Sequence, residues 1–82
     1  MKTYIIDIYR DGSQWTGFDS AVSLDAAKAQ VLAKYPAATE VIPGDGYRQE
    51  DAAAKSSSGE ADHVARFELD STDYADIYEI AE

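Results

Sequence analysis

Residues 60–82 read EADHVARFELDSTDYADIYEIAE, and whether this stretch holds two strands or a strand and a helix decides the fold. From His63 to Leu69 the chain alternates, with Ala65, Phe67 and Leu69 on one side and Val64, Arg66 and Glu68 on the other, which is a strand pattern. The remainder fits two periods. Tyr74, Ile77, Tyr78 and Ala81 satisfy a helical stripe behind a Ser71 cap, whereas Asp76, Tyr78 and Ile80 alternate as in a strand. Ser71-Thr72-Asp73 has the composition of a turn between two segments rich in aromatic and β-branched residues, which favours a terminal hairpin. Charge is concentrated here as well: eight of the sixteen acidic residues lie in this stretch against one base, Arg66. Asp70, Asp73, Asp76, Glu79 and Glu82 recur every third residue among apolar anchors, so an ordered acidic surface is expected.

Upstream, Thr3–Arg10 (TYIIDIYR) places Tyr4, Ile6 and Ile8 on one face and Ile5, Asp7 and Tyr9 on the other, a strand with one wholly apolar face. Asp11-Gly12 suits a tight hairpin turn, and a second strand follows from Gln14 to Val22, where Gly17 marks a bulge or a close backbone approach. Ser23 caps a helix whose Leu24, Ala27, Val31 and Tyr35 form one stripe with Leu32 beside it, and Pro36 stops it. Lys28 and Lys34 fall outside the stripe and are expected to face solvent. Thr39–Ile42 is a short strand ended by Pro43, and Gly44-Asp45-Gly46 is a turn that Tyr47 anchors. Residues 49–61 (QEDAAAKSSSGEA) lack any large apolar side chain and read as a flexible loop with little part in the core, one helical turn over Asp51–Lys55 being the less favoured alternative. The expected fold is α+β: one domain over residues 1–82, with a small antiparallel sheet of four to five strands packed on a single helix, in the order β-β-α-β-β-β.

Eighty-two residues are close to the size below which a hydrophobic core alone is marginal. There is no cysteine for a disulfide, and one histidine, His63, does not build a zinc site of the common type. The net charge of −9 is lopsided. Residues 1–35 carry four acids against four bases, whereas residues 36–82 carry twelve acids against Arg48, Lys55 and Arg66, so the whole excess falls in the second part. Such a field repels nucleic acid and membrane surfaces and steers basic proteins toward it. No stretch approaches a membrane span and the N-terminus lacks a signal-peptide pattern, so a cytoplasmic protein is expected.

Motifs of known chemistry fail here. Gly44 and Gly46 stand far from Lys55-Ser56, so there is no phosphate loop, and Asp70, Asp73 and Asp76 are three apart where a calcium loop needs alternate ligands around a glycine. His63 reads as a surface strand residue outside any nucleophile setting. No catalytic residue, cofactor or metal site is assigned, and a non-enzyme is expected. Tyrosine and tryptophan are abundant enough to serve both core and interface, and the acid spacing carries a sharper implication. Strand residues two apart or helix residues three to four apart set carboxylates roughly 5 to 7 Å apart, comparable to neighbouring phosphates on a nucleic-acid backbone.

The opening MKTYIIDIYRDG, the alanine-rich SLDAAKAQVLAKYP, the lack of cysteine and the acidic second half together give a chain that resembles the small phage-encoded inhibitors of bacterial defence, the anti-CRISPR proteins. That resemblance implies a function class and no site: a stoichiometric inhibitor that occupies a basic DNA-binding channel of an RNA-guided effector and blocks target capture. The expected partner-binding residues are Glu68, Asp70, Asp73, Asp76 and Glu79, with Tyr74 and Tyr78 as anchors. The alternative expectation is a structural or adaptor protein that pairs with another chain, or with itself, through an apolar sheet edge, the acids serving solubility alone.

Overall fold

The computed structural model describes residues 3–10, 14–44, 49–70 and 73–80, with 10 and 14–19 described by their backbone alone. Along the chain run β1 (Thr3–Arg10), β2 (Gln14–Ala21), α1 (Leu24–Lys34), β3 (Thr39–Val41), α2 (Gln49–Ala53), β4 (Ala61–Glu68) and β5 (Tyr74–Ile80). The strands form one antiparallel sheet in the order β2-β1-β5-β4-β3, so the α+β class is as expected. Residues 74–80 resolve the ambiguity of the C-terminal stretch: they are a strand, hairpin-paired from Glu68↔Tyr74 to Ala61↔Ile80. That strand also pairs along its other side with β1, from Tyr9↔Tyr74 to Thr3↔Ile80, and so becomes the middle of the sheet. The turns expected at Asp11-Gly12, Asp45-Gly46 and Ser71-Thr72 lie outside the described residues.

Alternation along the two inner strands separates the faces. Tyr4, Ile6 and Ile8 look toward α1 together with Ala75 and Ile77, while Ile5 looks the other way with Tyr78 and Ile80. Ser23 is extended (φ −150°, ψ 160°), and its hydroxyl accepts the Ala26 N–H at 3.1 Å, which starts α1 as a cap should. At the other end the Tyr35 N–H reaches Val31 O at 2.8 Å and Pro36 prevents a further turn. Ala27 and Val31 are the buried stripe, set against Ile6, Ile8, Phe67 and Ile77, with Leu24 and Tyr35 half-buried at its margins. Leu32 stays 41% exposed. Lys34 is exposed as expected, but Lys28 turns back to Glu40 of β3 at 3.0 Å.

Residues 49–61 depart from the expected flexible loop, and the fold has a second helix where one was expected. Gln49–Ala53 is helical, Ala52 is fully buried against Ile5, Ala61, Tyr78 and Ile80, and the Gln49 side-chain amide donates to Ala61 O at 2.7 Å. Small size is the reason: an alanine, which looks unable to build a core, lets a short helix approach the sheet closely. The chain beyond it is turned by backbone bonds from Ala54 to Glu50, Lys55 to Ala52 and Ser56 to Ala53, and Gly59 takes the left-handed conformation (φ 75°) just before β4. Two strand ends are shorter than expected: Val22 and Ile42 lie beyond β2 and β3 and are 79% and 91% exposed.

Two irregularities shape the sheet. Asp7 pairs with Phe18 but Tyr9 with Trp15, so β2 spends an extra residue at Thr16–Gly17, where the glycine pointed to a bulge. His63 pairs with Tyr78 but Ala65 with Ile77, so Val64 is the extra residue of β4. Among the described residues no helix is long and apolar enough to cross a membrane.

Candidate functional site

The Val64 bulge decides what lies on the face away from α1. Strict alternation would put His63 with Ala65 and Phe67, on the side of the main core. With one residue inserted, His63 and Arg66 come to the same face although they are three apart, and both reach Asp76 of β5. The Arg66 Nε–H donates to Asp76 Oδ1 at 2.8 Å, and His63 Nε2 lies 3.1 Å from the same oxygen. His63 Nδ1 is 2.8 Å from the Gly44 carbonyl, which only accepts, so Nδ1 carries a proton and donates it. The imidazole is also 5.1 Å from the Tyr78 ring, and its side chain is 3% exposed, which corrects the expectation of a surface histidine.

Directly across β1 and β5, Asp7 is the register partner of Asp76, and both are fully buried. Residues so paired have Cβ atoms roughly 4.5–5.5 Å apart, so two carboxyl groups share one small interior volume with an imidazole and a guanidinium. Asp76 Oδ2 accepts no hydrogen bond within the described structure. The next row outward is aromatic. Tyr74 and Tyr9 are register partners with ring centroids 6.5 Å apart, and the Arg66 guanidinium stands 5.4 Å from the Tyr74 ring centre. Arg66 thus binds a carboxylate and an aromatic face together, which its flat guanidinium suits and a lysine ammonium does not.

The expected partner-binding residues are dispersed by this geometry. Glu68 is exposed at the end of β4; Asp70 is exposed beyond it, its Oδ1 accepting the Asp73 N–H at 2.9 Å. Asp73 is buried and Tyr74 half-buried. Asp76 and Tyr78 are fully buried inside this face, so neither belongs to an exposed surface. Glu79 points the other way, accepting the Tyr4 hydroxyl at 2.8 Å beside Asp62, its register partner on β4. The spacing of three explains the dispersal, because in a strand it sends successive residues to opposite faces.

Sequence reasoning did not assign Asp7, His63 or Arg66 to any site. The available signal was Asp7, an acid within an otherwise apolar and aromatic strand; the bulge that delivers His63 has no such mark. Chemically the cluster joins His63 and Arg66 at one oxygen of Asp76 beside the buried Asp7, and leaves Asp76 Oδ2 outside those bonds; among the described residues no group of three or more His, Cys, Asp or Glu side chains is arranged to hold a metal ion. What faces solvent from residue 49 onward is different in kind: Glu50, Asp51, Glu60, Asp62, Glu68 and Asp70 are exposed, against one exposed base among the described residues there, Lys55. The chain matches no family model, and no curated protein and no solved structure matches it.

Proposed function

We propose that this protein is a non-enzymatic inhibitor whose acidic half occupies a basic nucleic-acid-binding surface of a bacterial defence complex, an RNA-guided effector, and so blocks capture of target DNA. One observation carries the reading: the exposed carboxylates of the second half stand on ordered strands, on α2 and on hydrogen-bonded turns, with Lys55 as the one described exposed counter-charge. Fixed charges of one sign raise the encounter rate with a basic channel and compete with phosphates for the same cations. The competing acids are Glu60, Asp62, Glu68 and Asp70, with Glu79 at the margin; Asp76 and Tyr78 act from within, by holding the sheet that displays them.

The test is target-duplex capture by an RNA-guided effector complex titrated with this protein at rising salt. Inhibition is expected to weaken as salt rises. It is expected to vanish in the triple variant Glu60→Lys, Asp62→Lys, Glu68→Lys, whose side chains are exposed and whose unfolding midpoint is expected to stay close to that of the parent. Full inhibition by the triple variant would contradict acidic mimicry.

A further inference from the structure

The sheet ends in two edges that differ in kind. β3 is three residues long, Pro43 follows two residues after it, and Glu40 within it is held by Lys28 at 3.0 Å. Short length, a nearby proline and charge are the devices by which sheets keep an edge from pairing. β2 is eight residues long and contains neither lysine nor proline; it carries one charge, Asp19, and the bulge at Thr16–Gly17, and its outer side meets no strand among the described residues.

Helix α1 leaves the same side of the molecule open. Its Lys28 flank leans to β3, while the Gln30 amide lies 3.5 Å from Ser20 O of β2, a contact at the limit of hydrogen bonding. Between that second flank and the sheet lies a half-open cavity of about 220 Å³, lined mainly by apolar atoms of Ile6, Ile8, Val31 and Ala33, with Gln30 and Lys34 beside them. A strand edge that meets no other described strand and an open apolar groove therefore adjoin.

Charge selects the occupant. The excess of −9 falls wholly in residues 36–82, whereas residues 1–35, which include β1, β2 and α1, sum to zero. The strand order sets β2 at the opposite end of the sheet from β4 and β3. A basic partner is drawn to the acidic end. Two copies of this chain repel one another there and meet with least repulsion at β2.

We propose that the outer edge of β2 pairs antiparallel with β2 of a second copy, joining two five-stranded sheets into one about a twofold axis. Antiparallel self-pairing is isologous, so each edge satisfies the other and assembly closes at two. Both α1 helices then lie on one side of the joined sheet with their grooves facing across the axis. The ladder supplies main-chain hydrogen bonds and the grooves supply apolar area that a strand pair alone lacks. Both acidic halves remain outermost, so the dimer displays two copies of the proposed inhibitory surface, yet its existence does not depend on that function.

Sedimentation of the full chain from about 1 µM to about 1 mM tests this, spanning the dissociation constants of weak to moderate dimers. The expected result is a doubling of mass within that range, with a thermal unfolding midpoint that rises with concentration. Ser20→Glu places a new acid at an exposed position on the pairing strand of each copy, and is expected to give a monomer throughout, with the parent's circular dichroism. If that variant lowers the monomer's own midpoint, Gln30→Glu on the exposed helix surface above β2 serves the same purpose. A parent that stays monomeric at about 1 mM, or a dimer that both variants leave intact, would overturn the proposal.

Discussion

The two faces of the sheet are made by the same strands and closed by opposite means. On the α1 side, Ile6, Ile8, Phe67, Ala75 and Ile77 meet Ala27 and Val31, and the face is held by apolar area removed from water. On the other side Asp7, Asp76, His63 and Arg66 occupy the middle, flanked by Tyr9 and Tyr74 at one end and by the small α2 cluster at the other. Apolar packing tolerates many arrangements of similar volume, whereas an ionic cluster works only when every partner is in place. The first face supplies most of the stability. The second ties β1, β5 and β4 to one register, since a one-residue slip of any one of them would carry its own Asp7, Asp76 or Arg66 to the core side, away from its partners.

The largest loss of stability is expected on the apolar side. Phe67→Ala, at a side chain 2% exposed, is expected to cost about 3–5 kcal/mol, enough to remove most of the stability of so small a domain, as read by urea unfolding. On the ionic side, Arg66→Ala strips Asp76 of its 2.8 Å partner and is expected to cost about 3 kcal/mol, with Arg66→Lys recovering only part because the Tyr74 face is lost with the guanidinium. Ala52→Leu sharpens the picture of α2: overpacking a fully buried alanine is expected to cost about 1–3 kcal/mol, whereas a substitution in a flexible loop would cost nothing measurable. Ser23→Ala removes the cap bond to Ala26 and is expected to lower stability by about 1 kcal/mol. Lys28→Ala breaks a part-exposed ion pair with Glu40 and is expected to change stability by less than about 0.5 kcal/mol.

The legible part of this fold was written in period. TYIIDIYR, the Ser23 cap, the Ala27 and Val31 stripe and the alternation from His63 to Leu69 each carry a local signal, and each element is present near its expected bounds, although the alternation breaks at Val64. Helix α2 was legible only as a less favoured helical turn over Asp51–Lys55, and its place in the core was not, because its contribution is one alanine, Ala52, whose burial depends on the distant Ile5, Tyr78 and Ile80. The ionic cluster was hidden for a related reason. Asp7 and Asp76 are 69 positions apart in sequence and meet only because β5 inserts beside β1. His63 reaches them only through the extra residue at Val64, which alternation alone places on the wrong face.

The acidic run of the C-terminal stretch was legible as composition and misleading as geometry. Its spacing of three matches neither the strand period of two nor the helical period of 3.6, so once residues 74–80 form a strand the run must split. Asp76 goes into the interior, Glu79 to the α1 face beside Tyr4, and Glu68 and Asp70 stay outside. The charge that is proposed to meet a partner and the charge that holds the sheet are therefore carried by different acids of one sequence pattern.

Equilibrium urea unfolding of Asp76→Lys beside Glu68→Lys tests that division most directly, since both reverse one acid of the same hairpin. Asp76→Lys places a cation against Arg66 and His63 and is expected to abolish the cooperative transition or lower stability by at least about 3 kcal/mol. Glu68→Lys, at an exposed position, is expected to stay within about 0.5 kcal/mol of the parent with the same denaturant dependence. Equal, small effects from the two substitutions would contradict an interior role for Asp76 and restore a single acidic surface.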